Sequence, residues 1–181
     1  MHRRLFKAFV CRHFAGMHTL ILLRHAKAVT ANEAPSDEAR RLAPRGHKDA
    51  AAAGAAIAAL DLGVTHVVVS PAARTMETAA GVAPHLGAIT LLTRPALYLA
   101  PAQTLRQEAA ACRGDSVMVI AHNPGLHELV CQMLEEAHDR SRAAKALLAN
   151  FPTCAFAVFG FASRRPDDTR PRLIASGSPC G

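Results

Sequence analysis

This 181-residue sequence predicts an α/β fold, a mostly parallel sheet with helices over both faces. Three observations carry that reading. Short apolar, β-branched runs alternate along the chain with alanine-rich or amphipathic stretches of helical length. Those runs are apolar at successive positions, as in strands buried on both faces. Two of them, Leu22-Leu23-Arg24-His25-Ala26 and Val119-Ile120-Ala121-His122-Asn123-Pro124-Gly125, stop at a polar histidine segment. Such stops suit a sheet edge, where open α/β folds place their sites.

Residues 19–23 form the first expected strand. The polar residues 27–41, with Pro35, Ser36 and Asp37, cannot supply a core face and read as a long loop. Pro44-Arg45-Gly46 opens a helix reaching about residue 60, because alanine has the highest helix propensity, and Asp61-Leu62-Gly63 supplies its stop. Residues 64–69 make a buried strand between Gly63 and Ser70-Pro71. Ser70 is expected to cap the next helix, Pro71 to open it and Arg74 to lie in its first turn. Further strands are expected over 88–92, 115–121, 153–161 and 172–175, with helices over 101–111, 124–136 and 141–148. Residues 1–16 read as a disordered N-terminal extension, 17–181 as a single domain and 176–181 as a loose tail.

Composition narrows the function. Half of the residues are hydrophobic, enough for one sizeable core. Of the formal charge of +7, the acid-free first sixteen residues hold Arg3, Arg4, Lys7 and Arg12. The rest of the chain lacks the basic stripe and stacking aromatics of a nucleic-acid binder, and its modest excess fits an anionic substrate. The apolar patch Leu5, Phe6, Phe9, Val10 is broken by Lys7 and too short for a signal peptide, and no stretch has the apolar length of a membrane span. Five scattered cysteines (Cys11, Cys112, Cys131, Cys154, Cys180) form no C-x-x-C pair, so the reading is a reducing, cytoplasmic compartment with cysteine as packing filler. His127-Glu128 lacks the second histidine of a zinc protease, Cys131 standing in its place, and no phosphate-binding glycine loop or acidic cluster is seen. No metal and no cofactor are expected. Nothing in the sequence fixes an oligomeric state.

The chemistry concentrates at the strand ends. Arg24 and Arg74 could converge on a tetrahedral anion, because guanidinium forks match phosphate oxygens and helix N-termini add donors. An imidazole inside such a pocket can attack phosphorus, and a second histidine with the arginines would stabilise the transferring charge. The segments Leu23-Arg24-His25-Ala26-Lys27-Ala28, Ser70-Pro71-Ala72-Ala73-Arg74-Thr75-Met76-Glu77-Thr78-Ala79 and Ala121-His122-Asn123-Pro124-Gly125 resemble, in order, the three signatures of the histidine phosphatase superfamily. The short chain, the His-Asn-Pro-Gly turn and Leu97-Tyr98 are similar to its small SixA-type phosphohistidine phosphatase branch.

The resemblance spans roughly residues 19–174. It implies a three-layer α/β/α, phosphoglycerate mutase-like fold and a metal-independent phosphatase. On it, His25 is the phosphorylated nucleophile, with Arg24, Arg74 and His122 lining the phosphate pocket and Arg40 a further phosphate contact. Ala26 departs from the glycine of many members. No insertion carries the acid of larger relatives, so Asp37 is the candidate general acid, ahead of Glu77. A weak acid favours a substrate with a good leaving group, so the expected partner is a phosphohistidine-bearing phosphorelay or phosphotransfer protein. Two other readings stay open: a small-molecule phosphoester phosphatase with the same nucleophile, and a non-catalytic phosphoprotein-binding module, against which the intact nucleophile weighs.

Overall fold

A computed structural model describes the backbone of residues 6–10 and, with side chains, residues 18–162 and 170–179. Its strands are β1 (Phe6–Val10), β2 (His18–Arg24), β3 (His66–Val69), β4 (Thr90–Thr93), β5 (Ser116–Ala121), β6 (Phe156–Phe161) and β7 (Arg172–Pro179). The helices are α1 (Pro44–Ala58), α2 (Ala73–Val82), α3 (Ala102–Ala111), α4 (Gly125–Glu136) and α5 (Arg142–Ala149). They form one seven-stranded sheet in the order β1-β7-β6-β2-β5-β3-β4. The ladders β2·β5, β5·β3 and β3·β4 are parallel, while β2·β6, β6·β7 and β7·β1 are antiparallel.

The parallel half follows the alternation read from the sequence. Each of its connections carries a helix, as a parallel crossover requires. The antiparallel pairing of β6 with β7 follows from the span between Phe161 and Arg172, which is shorter than the dozen or more residues a parallel crossover needs.

Alternate strand residues feed two cores, which makes three layers. Leu20 and Leu22 of β2, with Val117 and Val119 of β5, pack towards Leu105 of α3, Leu129 of α4 and Leu147 of α5. Ile21, Leu23, Met118 and Ile120 face the opposite way, onto Ala53 and Ile57 of α1 and Val82 of α2. All six residues of β5 are buried, as its continuous apolar sequence demands.

Three expectations are corrected. Residues 1–5 and 11–16 of the expected extension, with Cys11, lie outside the described residues, but Phe6–Val10 forms β1, which satisfies the free backbone edge of β7. β7 runs on to Pro179, so residues 176–179 of the expected loose tail are strand; Cys180 and residue 181 lie outside the described residues. Ser70 caps no helix: α2 begins after Ala72 and has no side-chain cap, because the Ser70 hydroxyl is taken elsewhere.

Candidate active site

Register assembles the site. Arg24 of β2 lies opposite Ala121 of β5, and Ile120 opposite Val69 of β3, so the residues just past these ends, His25, His122 and Ser70, emerge side by side. All three parallel strands point the same way, so they deliver their ends to one edge. A cleft of about 340 Å³ opens there, lined among others by Arg24, His25, Asp37, Arg40, Arg74 and His122. The structure therefore brings together all six residues singled out from the sequence.

His25 is held by its backbone and aimed by its ring. Its N–H donates to the Ala121 carbonyl at 3.2 Å, and the Cys154 N–H donates to the carbonyls of both Arg24 and His25. Nδ1 lies 2.8 Å from the Ala26 carbonyl, and a carbonyl can only accept, so Nδ1 carries the proton. Nε2 is thereby the lone-pair nitrogen. Ala26 is fully buried and has no positive φ, so the glycine of many relatives is not needed there, and its N–H donates to Thr78 Oγ1 of α2 at 3.0 Å.

Burial, with Arg74, Arg24 and Arg40 nearby and the Ala26 hydrogen bond opposing, lowers the His25 pKa to about 4. His122, 2% exposed, is lowered to about 3, chiefly by burial and then by His25 and Arg74. The two rings are 5.2 Å apart between centroids. Both are thus neutral in the fold at neutral pH, where a nucleophilic imidazole must be.

A pH dependence follows. The phosphorylation step in single turnover is expected to stay level from pH 7 down to about 5 and to fall as pH approaches 4. For stability the unfolded histidines titrate near 6.5, above their folded values. Their contribution is present above that value and is lost as pH falls towards 4 for His25 and 3 for His122. Thermal melts of His25→Gln should show a shallower loss between pH 6.5 and 4 than the wild type; equal slopes would contradict this.

The cations converge as expected, but from side chains alone. Arg74, 3% exposed, is the second residue of α2. The first N–H of that helix, from Ala73, is already bonded to the Glu38 carbonyl, so it adds no donor to the pocket. Arg24 donates through Nη1 to the Phe151 carbonyl at 2.9 Å, while its Nε is buried without a partner. Arg40 grips the Val29 carbonyl through Nε and Nη2 and Asp37 through Nη1.

Asp37 is the one carboxyl group among the described residues lining the cleft. One oxygen accepts from Tyr98 and Arg74 at 2.8 and 2.9 Å, the other from Arg40 at 2.9 Å. Tyr98 and Arg40 foremost, with Arg74, hold its pKa well below the usual carboxylate range. An ionised, fully engaged carboxylate accepts hydrogen bonds and has no proton to give. In this arrangement Asp37 is a counter-ion to the anion-binding arginines rather than an acid. Asp37→Ala is expected to lower the inhibition constant of inorganic phosphate by up to about fivefold, the worth of a half-exposed ion pair near 1 kcal/mol. Competitive inhibition assays check this, and weaker phosphate binding would overturn it.

Glu77 does not enter the cleft. It accepts from the Leu42 N–H at 2.7 Å and from Arg41, tying the long loop to α2.

The sequence reading missed three contributors. Ser70 Oγ lies 2.8 Å from His122 Nε2, which only the register of β3 against β5 reveals. Asn123 donates to the same Phe151 carbonyl as Arg24. Leu99 lines the cleft, 52% exposed and at φ +49°, a conformation a leucine seldom adopts. A polar-to-apolar rim position of that kind carries no sequence signal.

Residues 20–98 match the sequence profile described as Histidine phosphatase superfamily (branch 1). The fold is similar to that of the phosphohistidine phosphatase SixA of Nakamurella multipartitia, with a TM-score of 0.80, 28% identity, and 92% of this chain and 99% of that one covered. The SixA of Agrobacterium tumefaciens gives 0.77 and 28%, covering 90% and 98%. A protein histidine phosphatase SixA bound to tungstate shares the fold at 0.70 and 22% identity, covering 90% and 97%. No curated protein matches by sequence.

Proposed function

We propose that this chain is a histidine phosphatase of the superfamily whose profile its residues 20–98 match, and that it dephosphorylates phosphohistidine on a phosphotransfer or phosphorelay protein through a phospho-His25 intermediate. The observation that carries the substrate choice is the state of Asp37: the one carboxyl group among the described residues of the cleft is committed as an acceptor to three donors. An alkoxide would need a proton delivered as it leaves, whereas a phosphorylated imidazole leaves more readily. The two SixA proteins at 28% identity, named as phosphohistidine phosphatases, support the same reading.

The reaction has two balanced steps. His25 Nε2 attacks phosphorus, a new N–P bond forms, and the N–P bond of the substrate breaks with its electron pair leaving on the substrate imidazole. Breaking one such bond while making another keeps this step near thermoneutral. Water then attacks the phosphoryl group, and phosphate leaves His25 Nε2 with its lone pair restored. Arg24, Arg74 and Arg40 offset the charge on the phosphoryl oxygens, where phosphoryl transfer takes most of its catalysis. Asp37 yields Arg74 to the incoming group, and Nδ1 of His25 keeps its proton on the Ala26 carbonyl throughout. No step asks for a metal. The one catalytic domain includes β1 as well as residues 17–181. No helix among the described residues is long and apolar enough to cross a membrane, and the free Cys112, Cys131 and Cys154 favour a reducing, cytoplasmic setting.

The test is kcat/KM on a histidine-phosphorylated carrier protein beside a panel of sugar and nucleotide phosphoesters. Preference for the phosphohistidine protein is expected. Faster turnover of any phosphoester overturns the substrate assignment, and binding without turnover of either class overturns the enzyme reading.

A further inference from the structure

Behind the second histidine lies a residue the reaction scheme does not use. Ser70 is fully buried just past the end of β3, and its Oγ is 2.8 Å from Nε2 of His122. Among the described residues that hydroxyl has no other partner. The opposite nitrogen of His122, Nδ1, is buried with no partner, in a ring that lines the phosphoryl cleft. A neutral imidazole carries one proton, and the two placements differ sharply in consequence. With the proton on Nε2, Ser70 would accept it and its own hydroxyl hydrogen would be stranded in the core, an unsatisfied donor costing about 1–3 kcal/mol. Nδ1 would then carry a bare lone pair, which repels rather than binds a phosphoryl oxygen. With the proton on Nδ1, the Ser70 hydroxyl donates to Nε2, and the donor left without a protein partner is Nδ1–H, in a ring that lines the cleft where a phosphoryl oxygen would accept from it.

We propose that Ser70 is a positioning residue that fixes His122 as the Nδ1–H tautomer, turning the second histidine into a neutral hydrogen-bond donor for the transferring phosphoryl group. The proposal deepens the phosphatase reading and rests on it for the identity of the acceptor. Neutrality is part of the device. Arg74 and His25 crowd the ring on the cleft side, Arg24 adds to them, and Asp37 is the one opposing charge among the groups acting on it. A second full cation is disfavoured there, and a neutral donor of fixed orientation needs no protonation to act. Thr75 of α2 secures the serine in turn, its Oγ1 donating to the Ser70 carbonyl at 2.8 Å.

The tautomer is read directly, without substrate, from long-range proton–nitrogen correlations of the nitrogen-15-labelled full chain. The His122 signals are those that vanish in His122→Gln. Wild type is expected to show Nδ1 protonated and Nε2 bare, with the Nδ1 signal moving when inorganic phosphate is added. Ser70→Ala should lose that tautomer and drop kcat by about 10- to 100-fold with KM little changed, as when a preorganised donor is lost or misaligned. Ser70→Cys, which keeps a weak donor, should restore part of both. An Nε2-protonated His122 in the wild type overturns the proposal, and so does a Ser70→Ala enzyme that keeps either the tautomer or full kcat. The Nδ1–H tautomer in a protein that turns over no phosphorylated substrate upholds the lock while the phosphatase reading fails. Full turnover with the wrong tautomer does the reverse.

Discussion

His25→Ala is expected to lose phosphatase turnover by roughly 10⁴- to 10⁶-fold, the scale on which removing an activated nucleophile acts. The other imidazole lining the cleft is no ready substitute, because His122 Nε2 is engaged by Ser70. Rapid quench should trap a phosphoryl group on the wild type that is stable in base and labile in acid, as phosphohistidine is. The variant should trap none. His25 is only partly buried and its ring bonds to the neighbouring Ala26 carbonyl, so thermal melts should show a fold kept intact. Turnover at the wild-type level, or a trapped group that persists in the variant, would remove His25 from the chemistry.

Gly125→Ala is expected to damage stability and catalysis together. Gly125 is the first residue of α4, and a β-carbon there would sit 1.9 Å from the Ala100 carbonyl oxygen and 3.0 Å from Pro101 Cα. Both obstacles are backbone, so neither can rotate away. Relief means shifting α4 or the connection that carries Tyr98 and Leu99, at a cost of about 3 kcal/mol. For a chain of this length that lowers Tm by roughly 6–12 °C. Tyr98 holds Asp37, and Asp37 holds Arg74, so displacement of that connection also disturbs the anion pocket. Calorimetry and steady-state kinetics on the same sample check both effects. A variant with unchanged Tm would show that the two walls are not in forced contact.

Much of this architecture was legible in the sequence, and the parts that were not share a cause. The strands and helices around the parallel half follow from local pattern: β5 is apolar throughout because helices cover both its faces. Arg24, His25 and His122 could be singled out because each stands where an apolar run stops, and Arg74 because it opens a helix just after one. Position along the chain could not say what each group would touch. Ser70 reads locally as a helix cap, and its true partner lies 52 residues away across a strand pair. Asp37 reads as a loop carboxyl free to hold a proton, but Arg74 and Tyr98 arrive from two distant segments to join Arg40 of its own loop in keeping it deprotonated. Gly125 reads as part of a turn, and only the approach of Ala100 shows why a side chain is excluded. Local pattern specifies elements, while long-range contacts specify protonation states and clearances.

The central position of β2 also bears on how the protein is made. The strand that leads to His25 is made well before its two neighbours, β5 and β6, which begin at Ser116 and Phe156. During synthesis the apolar segment Thr19-Leu20-Ile21-Leu22-Leu23 therefore waits for its native partners until β5 and then β6 have left the ribosome. The same delay keeps His25 and His122 apart until late in synthesis. A nascent chain thus meets cellular phosphoryl donors before the proposed site is assembled, and the period of greatest aggregation hazard ends when that sheet edge closes.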